Sequence, residues 1–203
     1  MTVYLEHEGQ IVQVEYLNKS VYTNVSISKS GYTQVVPGQE IRYTFKDIGN
    51  NSTVPLDSFY WRDTLPTDAV RLDKIITGTY SARLNYKVVF QTNLNDTQRV
   101  LADNLNTQKN YTLDASPAAL GLASNEYVTQ VTFLFGRVPG GFKQVETPYI
   151  YCDVLSSLSH EYRFANKCDV GGMWQNQWVQ ATDRWVTIIY RGGPVPTLPR
   201  TGY

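Results

Sequence analysis

Short segments in which apolar and polar residues alternate recur along almost the whole chain, and residues typical of turns separate them. The clearest segment is residues 125–135, which is closed by the turn Pro139-Gly140-Gly141. A period of two residues is typical of a strand that buries one face. The other predicted strands are residues 22–28, 40–46, 58–63, 69–76, 82–92, 144–155, 161–164 and 184–190.

Turn signals follow one another about every 8–12 residues, which is typical of a β-sandwich. The pattern fades over residues 93–109, where residues 96–105 are expected to form at most one or two helical turns. No other part of the sequence indicates a helix of ordinary length. The sequence therefore predicts an all-β chain built as an antiparallel sandwich.

The chain divides into three predicted parts. Residues 1–24 are expected to form an N-terminal strand or hairpin extension, because two alternating segments flank the turn signal Glu8-Gly9-Gln10, with an inter-domain linker as the alternative. Residues 25–191 form the sandwich. Residues 192–203, which are spaced by prolines, form a linker that ends in a short motif.

Composition excludes several classes of function. Aromatic residues make up 13% of the chain, and Tyr contributes 15 of them, which favours half-exposed strands. With 18 acidic and 18 basic residues the charge is balanced, which argues against nucleic acid or an anionic membrane as a partner. No apolar stretch approaches the roughly 20 residues of a membrane-spanning helix.

The C-terminal motif matches the Leu-Pro-Xaa-Thr-Gly signal that sortases recognise when they attach surface proteins to Gram-positive cell walls. Its fixed positions are Leu198, Pro199, Thr201 and Gly202. Pro199 fixes its own φ angle and favours an extended Leu198, which would present the motif as a strand-like ligand. A complete signal continues into an apolar segment and a basic tail, whereas this sequence stops at Tyr203, so a chance match is the alternative.

Two segments carry a resemblance to a known family. Residues 43–50 read Tyr-Thr-Phe-Lys-Asp-Ile-Gly-Asn, and residues 59–66 read Phe-Tyr-Trp-Arg-Asp-Thr-Leu-Pro. The chain resembles the conserved repeat domains of Gram-positive wall-anchored surface proteins and pilin-like stalks, best over residues 25–90. The resemblance implies an immunoglobulin-like sandwich, an extracellular location and a structural or adhesive role without enzymatic activity.

The resemblance also implies a self-formed amide bond between a Lys and an Asn side chain, assisted by an acid. The candidates are Lys29 and Asn166, with Asp63 or Glu126 as the acid. Burial would keep the amine neutral and nucleophilic, and a protonated acid would polarise the carboxamide. One observation favours the simpler alternative of an ordinary, exposed Lys29: the last predicted strand, residues 184–190, contains no Asn.

The two cysteines, Cys152 and Cys168, are expected to form a disulfide if the protein is exported. The chain-entropy model gives such a bond about 3 kcal/mol. Two buried free thiols are the alternative.

The segment 171–178 is rich in Gly, Gln and Asn and contains Trp174 and Trp178. Exposed indoles on such a loop are typical of a sugar-stacking site. These two residues are therefore candidates for ligand binding, and a carbohydrate-binding module is the alternative function. A hairpin whose Trp residues pack back onto the sandwich is the alternative, and the sequence favours it.

Evidence for an enzyme is weak. His7 and His160 lack the spacing of metal ligands, and carboxylate pairs such as Glu126 and Glu146 occur in any β-protein of this size. We expect no enzyme activity, no cofactor and no metal. The expected partners are a sortase, wall peptidoglycan or a pilus subunit, and a host or glycan ligand.

Overall fold

The computed structural model describes residues 2–7, 10–15 and 20–192. Over these residues the chain is all β-structure, with strands and connecting turns and no helix, as predicted. The strands are β1 (Thr2–His7), β2 (Gln10–Glu15), β3 (Val25–Ser30), β4 (Gln34–Val35), β5 (Glu40–Asn50), β6 (Leu56–Thr64), β7 (Val70–Ile76), β8 (Thr79–Tyr80), β9 (Asn85–Thr92), β10 (Arg99–Asn106), β11 (Thr112–Asp114), β12 (Val128–Val138), β13 (Gln144–Glu146), β14 (Tyr149–Val154), β15 (Arg163–Trp174) and β16 (Gln177–Ile189).

Two sheets form the sandwich. One has seven strands in the order β10-β9-β12-β6-β15-β16-β4, and the other has five in the order β11-β7-β14-β5-β3. All neighbours are antiparallel except β16 and β4, which pair in parallel through Ile188 and Ile189. Strand β3 lies at the edge of the five-stranded sheet and contacts β15 and β16 of the other sheet. The two sheets therefore approach each other closely along this edge.

The core between the sheets is aromatic at its centre. The Trp61 ring stacks on Phe133 with centroids 3.9 Å apart and lies 4.9 Å from Phe45 of the facing sheet. Its indole N–H donates a hydrogen bond to the Tyr80 hydroxyl at 2.9 Å. Part of the high aromatic content of the sequence is thus explained by packing within the sandwich.

The predicted N-terminal hairpin is present, with β1 and β2 paired from Thr2–Glu15 to His7–Gln10. The sorting motif lies outside the described residues. Among those residues, no segment forms a helix with the length and apolarity that a bilayer crossing requires.

Three strand predictions differ from the structure. Residues 99–106 form the edge strand β10, whose polar side chains and two register shifts hide its period. The predicted strand 144–155 is split into β13 and β14, and Pro148, which has no N–H to donate, stands between them. Residues 163–189 form one long hairpin rather than two short strands and a loop.

The tip of that hairpin is a two-residue turn at Gln175 and Asn176, which both have positive φ. The glycines that suggest a loop, Gly171 and Gly172, are strand residues with no room for a side chain. A Cβ atom on Gly171 would lie 2.9 Å from the Tyr60 ring, and one on Gly172 would lie 2.8 Å from Leu56. These glycines are needed for close packing.

Candidate functional site

A polar residue takes an inward-facing position on each of three strands. Strand β3 buries alternate residues, and Lys29 follows Val25 and Ile27 in that series. Asp63 continues the buried series of β6, and Asn166 that of β15. All three are buried, with Asp63 and Asn166 fully inaccessible and Lys29 5% exposed. The simpler interpretation of Lys29 as an exposed lysine is wrong.

A bulge in β6 decides that Asp63 points inward. Leu56 is buried, so strict alternation from it would bury Arg62 and expose Asp63. Ser58 instead has φ 51°, and the register with β12 shifts around Phe59. This shift by one residue turns Asp63 into the core.

Sheet pairing then brings Asp63 to Asn166. Asp63 lies directly opposite Cys168 in the β6–β15 ladder, and Asn166 is the next inward residue along β15. The Asn166 amide Nδ2 donates a hydrogen bond to Asp63 Oδ2 at 3.2 Å. Lys29 reaches the same carboxyl from the facing sheet, with Nζ 2.5 Å from Asp63 Oδ1. The carboxyl group therefore bridges the amine and the carboxamide.

Lys29 is held in place by contacts along its whole length. Its backbone N–H donates to Asp183 Oδ2 of β16 at 2.7 Å. Its Nζ lies 4.1 Å from the centre of the Phe45 ring and 4.7 Å from that of Tyr43. These aromatic faces exclude water from the amine and leave Asp63 as its hydrogen-bonding partner.

Burial raises the pKa of Asp63, and the attraction of Lys29 and the hydrogen bonds from Lys29 and Asn166 offset this only in part. A carboxyl with a raised pKa accepts a proton more readily. Within the pair, transfer of one proton from Lys29 to Asp63 removes both buried charges, which are costly in an apolar interior. Such a transfer would give the neutral amine that nucleophilic attack needs.

Attack of Lys29 Nζ on the carboxamide carbon of Asn166 would form an amide bond and release ammonia. The acceptor is on the penultimate strand, which explains why the last predicted strand offers no Asn. The candidates for the nucleophile, the acid and the acceptor lie in one buried cluster, Lys29, Asp63 and Asn166, which we call the buried triad.

Glu126, the other candidate acid, lies elsewhere. It accepts hydrogen bonds from Thr92 and Arg99 near the start of β12. The hydrogen bond from Thr92 is the main cause that lowers the pKa of Glu126. An ionised carboxylate tied to an arginine is not a proton donor, which leaves Asp63 as the candidate acid.

Cys152 and Cys168 are free and buried, so the structure does not show the expected disulfide. Cys152 is on β14 of the five-stranded sheet and Cys168 on β15 of the seven-stranded sheet. The two thiols are packed in the core, which is the alternative that the sequence left open. Burial raises the pKa of both thiols, that of Cys168 to about 12.

Trp174 and Trp178 lie on opposite faces of the β15–β16 hairpin. Met173 pairs with Trp178 and Trp174 with Gln177, and directly paired residues share a face. Trp174 packs against the core, whereas Trp178 is 54% exposed beside Tyr60. The two indoles therefore do not form one stacking platform.

The remaining candidates are outside this cluster. Leu198, Pro199, Thr201 and Gly202 fall outside the described residues. In the part of the chain that the structure describes, no group of three or more His, Cys, Asp or Glu residues is placed to hold a metal ion.

Comparisons with known proteins add little. No protein-family model and no curated protein matches the chain. Among solved structures, AvmM, which catalyses macrocyclization in alchivemycin A biosynthesis, is 9% identical with a TM-score of 0.31, over 96% of this chain and 99% of AvmM.

The collagen-binding subdomain of the Enterococcus faecalis surface protein ACE is 10% identical with a TM-score of 0.33, over 84% of this chain and 98% of the subdomain. A protein of Corynebacterium diphtheriae assigned as membrane-anchored is 13% identical with a TM-score of 0.41, over 94% of this chain and 41% of that protein. TM-scores this low carry no inference about function.

Sequence reasoning missed two residues at the site, Tyr43 and Asp183. Tyr43 lies between Ile41 and Phe45 in the inward series of β5, so alternation alone places its side chain in the core. Asp183 lies in the inward-facing series of β16 with Ala181 and Trp185, but its contact with Lys29 depends on the approach of β3 to β16, which no pattern within one strand shows.

Proposed function

We propose that this chain contains a structural or adhesive domain of a bacterial cell-surface protein, stabilised by an amide bond between Lys29 and Asn166. The observation that carries the proposal is the buried triad, in which one carboxyl group touches both the amine and the carboxamide. Burying a lysine and an aspartate in an apolar core costs free energy, so a functional reason for keeping them there is expected.

The reaction balances within the chain. Lys29 gives one proton to Asp63, and its neutral amine adds to the Asn166 carboxamide carbon. The C–N bond to Nδ2 breaks, the departing nitrogen takes a proton by way of Asp63, and ammonia leaves. The products are one amide bond and one ammonia, and no external reagent is consumed. Because the bond forms once within its own chain, the role is structural rather than enzymatic.

The position of the bond suits a domain under tension. It would join β3, the first strand of the sandwich, to β15, and would cross from one sheet to the other. A pull on the two ends of the chain would pass through the bond and leave residues 30–165 unloaded. This is the arrangement expected of a stalk.

The C-terminal motif supports attachment to the cell surface. In this proposal a sortase recognises Leu198, Pro199 and Gly202 and cleaves after Thr201, which is then joined to peptidoglycan or to a pilus subunit. The protein would be extracellular and anchored to the wall of a Gram-positive bacterium.

Intact mass spectrometry tests the amide bond. We expect the purified protein to weigh one ammonia less than its sequence and to keep that deficit after reduction. Asn166→Ala and Asp63→Ala should show the full mass of their sequences, and a peptide digest should join the segments around Lys29 and Asn166. Asp169→Ala, which changes an acid on the other face of β15, is the matched control and should keep the deficit. The full mass in the unaltered protein would overturn the proposal.

Stretching single molecules tests the mechanical role. With the bond in place, extension should omit the 136 residues between the linked positions, about 480 Å of extended chain. Asn166→Ala should restore that length. Equal extension of both proteins would show that the bond does not shield the domain.

Incubation with a purified sortase and an oligoglycine acceptor tests the anchor. We expect transfer to the acceptor in the unaltered chain and none in Thr201→Ala. This result is independent of the amide bond, so each half of the proposal can fail alone.

Binding of a saccharide is the second candidate, favoured by the exposure of Trp178 beside Tyr60. The Tyr60 hydroxyl also accepts a hydrogen bond from Gln180 Nε2 at 3.1 Å, so an aromatic and polar surface is present. A glycan array should show binding that Trp178→Ala removes and Trp174→Ala, on the opposite face, retains. Absence of binding, or loss in both variants, would count against it.

A further inference from the structure

Three buried side-chain atoms in the described part of the chain have no hydrogen-bonding partner. They are the hydroxyl oxygens of Tyr43 and Tyr86 and the carboxamide oxygen of Asn166. Buried polar atoms are nearly always paired, and the exceptions are often at functional positions. Two of the three belong to the same site, and one of those is the oxygen of the group that the proposed reaction attacks.

The oxygen of Asn166 becomes negatively charged during that reaction. As Lys29 Nζ bonds to the carboxamide carbon, an electron pair moves from the C=O bond to Oδ1. Asp63 does not face this atom, because its two oxygens are directed to Lys29 Nζ and to Asn166 Nδ2. A second donor is therefore needed on the other side of the carboxamide.

Tyr43 is placed to be that donor. It is fully buried on β5, and its ring lies below Lys29 Nζ. The side chains of Asn166 and Thr187 are the hydrogen-bonding groups next to its hydroxyl. Thr187 already donates its own proton to the Tyr32 carbonyl at 2.8 Å, so it offers Tyr43 only an acceptor. The Tyr43 hydroxyl and Asn166 Oδ1 are both without a partner and belong to neighbouring side chains, so the hydroxyl can turn to Oδ1, the atom that gains charge.

The hydroxyl keeps its proton at neutral pH. Burial is the main cause that raises the pKa of Tyr43 far above its ordinary value, and the nearby Cys152 and Asp63 act in the same direction. A tyrosine in this state donates a hydrogen bond and does not ionise.

We infer that Tyr43 is a catalytic residue of amide-bond formation, whose hydroxyl stabilises the negative charge on Asn166 Oδ1 in the tetrahedral intermediate. The inference rests on the proposed function. The hydroxyl proton is not transferred: when the C=O bond re-forms, the electron pair returns from Oδ1 and Nδ2 leaves as ammonia, with the proton carried by Asp63. Preorganised donors of this kind stabilise charge most strongly where water is excluded.

The test follows ammonia loss by intact mass at intervals after a short pulse of cell-free synthesis of the full chain. Removal of one oxyanion donor slows catalysis by about 10²-fold or more, and we expect Tyr43→Phe to slow cross-linking by that factor. Tyr86→Phe is the matched control, since it removes another buried, unpartnered tyrosine hydroxyl away from the triad. It should cross-link at the unaltered rate.

A Tyr43→Phe variant that cross-links as fast as the unaltered chain would overturn the inference while leaving the proposed function intact. Absence of ammonia loss in the unaltered chain would instead overturn the proposed function.

A second measurement covers the case in which Tyr43→Phe folds poorly. In the unreactive Lys29→Met variant, the Asn166 ¹³Cγ chemical shift reports hydrogen bonding to Oδ1. Adding Tyr43→Phe should move this signal upfield, and adding Tyr86→Phe should not. An unchanged shift in both would contradict the hydrogen bond.

Discussion

Strands β6 and β15 carry two acid–base groups that are neighbours in sequence but lie on opposite faces of the sheet. On the outer face, Arg62 Nε and Nη2 donate to the two oxygens of Asp169 at 2.8 and 2.9 Å, with 36% and 16% of the side chains exposed. On the inner face, one residue along, Asp63 bridges Lys29 and Asn166 with no exposure of either charged side chain. The same two strands carry both groups, and the groups differ in which face of the sheet their side chains point to.

The comparison shows how strongly solvent decides what a charged pair does. On the outer face water screens both charges, so the pair is a modest contact. On the inner face the same kind of pair is costly to bury, and transfer of its proton would remove both charges and create a nucleophile. The side chain types are similar, whereas their environments give the inner pair a chemical possibility that the outer pair lacks.

Removing the inner acid should have the largest effect. Asp63→Ala abolishes the cross-link, which closes a loop of about 140 residues and contributes on the order of 5 kcal/mol by chain entropy. It also leaves Lys29 buried without a partner, which costs about 3–5 kcal/mol more. We expect guanidinium unfolding to show a loss of more than 5 kcal/mol in the free energy of unfolding.

Asp169→Ala, the equivalent change on the outer face, should cost about 1 kcal/mol or less. If the two variants unfold at the same denaturant concentration, the contrast between the faces is wrong.

Removing the acceptor should have the next largest effect. Asn166→Ala prevents the cross-link but keeps the Lys29–Asp63 pair, so only the chain-entropy contribution of about 5 kcal/mol is lost. Urea unfolding followed by tryptophan fluorescence measures the difference. Asn85→Ala, at an exposed asparagine that donates to Asn104, is the control and should change stability little. A variant as stable as the unaltered protein would mean that no bond forms.

Much of the fold was predictable because apolar and polar residues alternate regularly within most strands. The segment 125–135 was predicted from its period of two and appears as Val128–Val138. The edge strand Arg99–Asn106 was not predicted, because a strand with polar faces and two register shifts has no clear period. The long hairpin was missed because glycines required by packing look like loop residues in a sequence.

The site was predictable in its residues but not in its geometry. The resemblance to wall-anchored domains supplied Lys29 and Asn166, with Asp63 or Glu126 as the acid. The sequence favoured an exposed Lys29, and the structure shows that it continues the inward series of Val25 and Ile27. Nothing local indicated the bulge at Ser58, without which Arg62 would occupy the inner position. The meeting of β3, β6 and β15 is a long-range property of sheet order, which a pattern within each strand does not contain.

The pH dependence of thermal unfolding tests how burial affects a titratable group on the inner face. Burial raises the pKa of Cys168, the inward neighbour of Asp169, from 9.0 to about 12. A pKa raised by folding means that this group's stability contribution is complete below pH 9 and is lost as the pH rises from 9 to 12. We expect the midpoint of thermal unfolding to fall over that range, and to fall less in Cys168→Ala. Equal pH dependence in both proteins would show that the thiol is not the cause.

The smallest effect is expected for the outer pair itself. A double-mutant cycle of Arg62→Ala and Asp169→Ala should give a coupling energy of at most about 1 kcal/mol, because partly exposed pairs are screened by water. High salt should reduce it further, since the Debye length is only about 3 Å at 1 M ionic strength. The more exposed pair Arg137–Asp57, with 65% and 49% of the side chains accessible, should show a smaller coupling still. A coupling well above that of an exposed pair, unchanged by salt, would mean that the outer face resembles the inner one, and the contrast between them would fail.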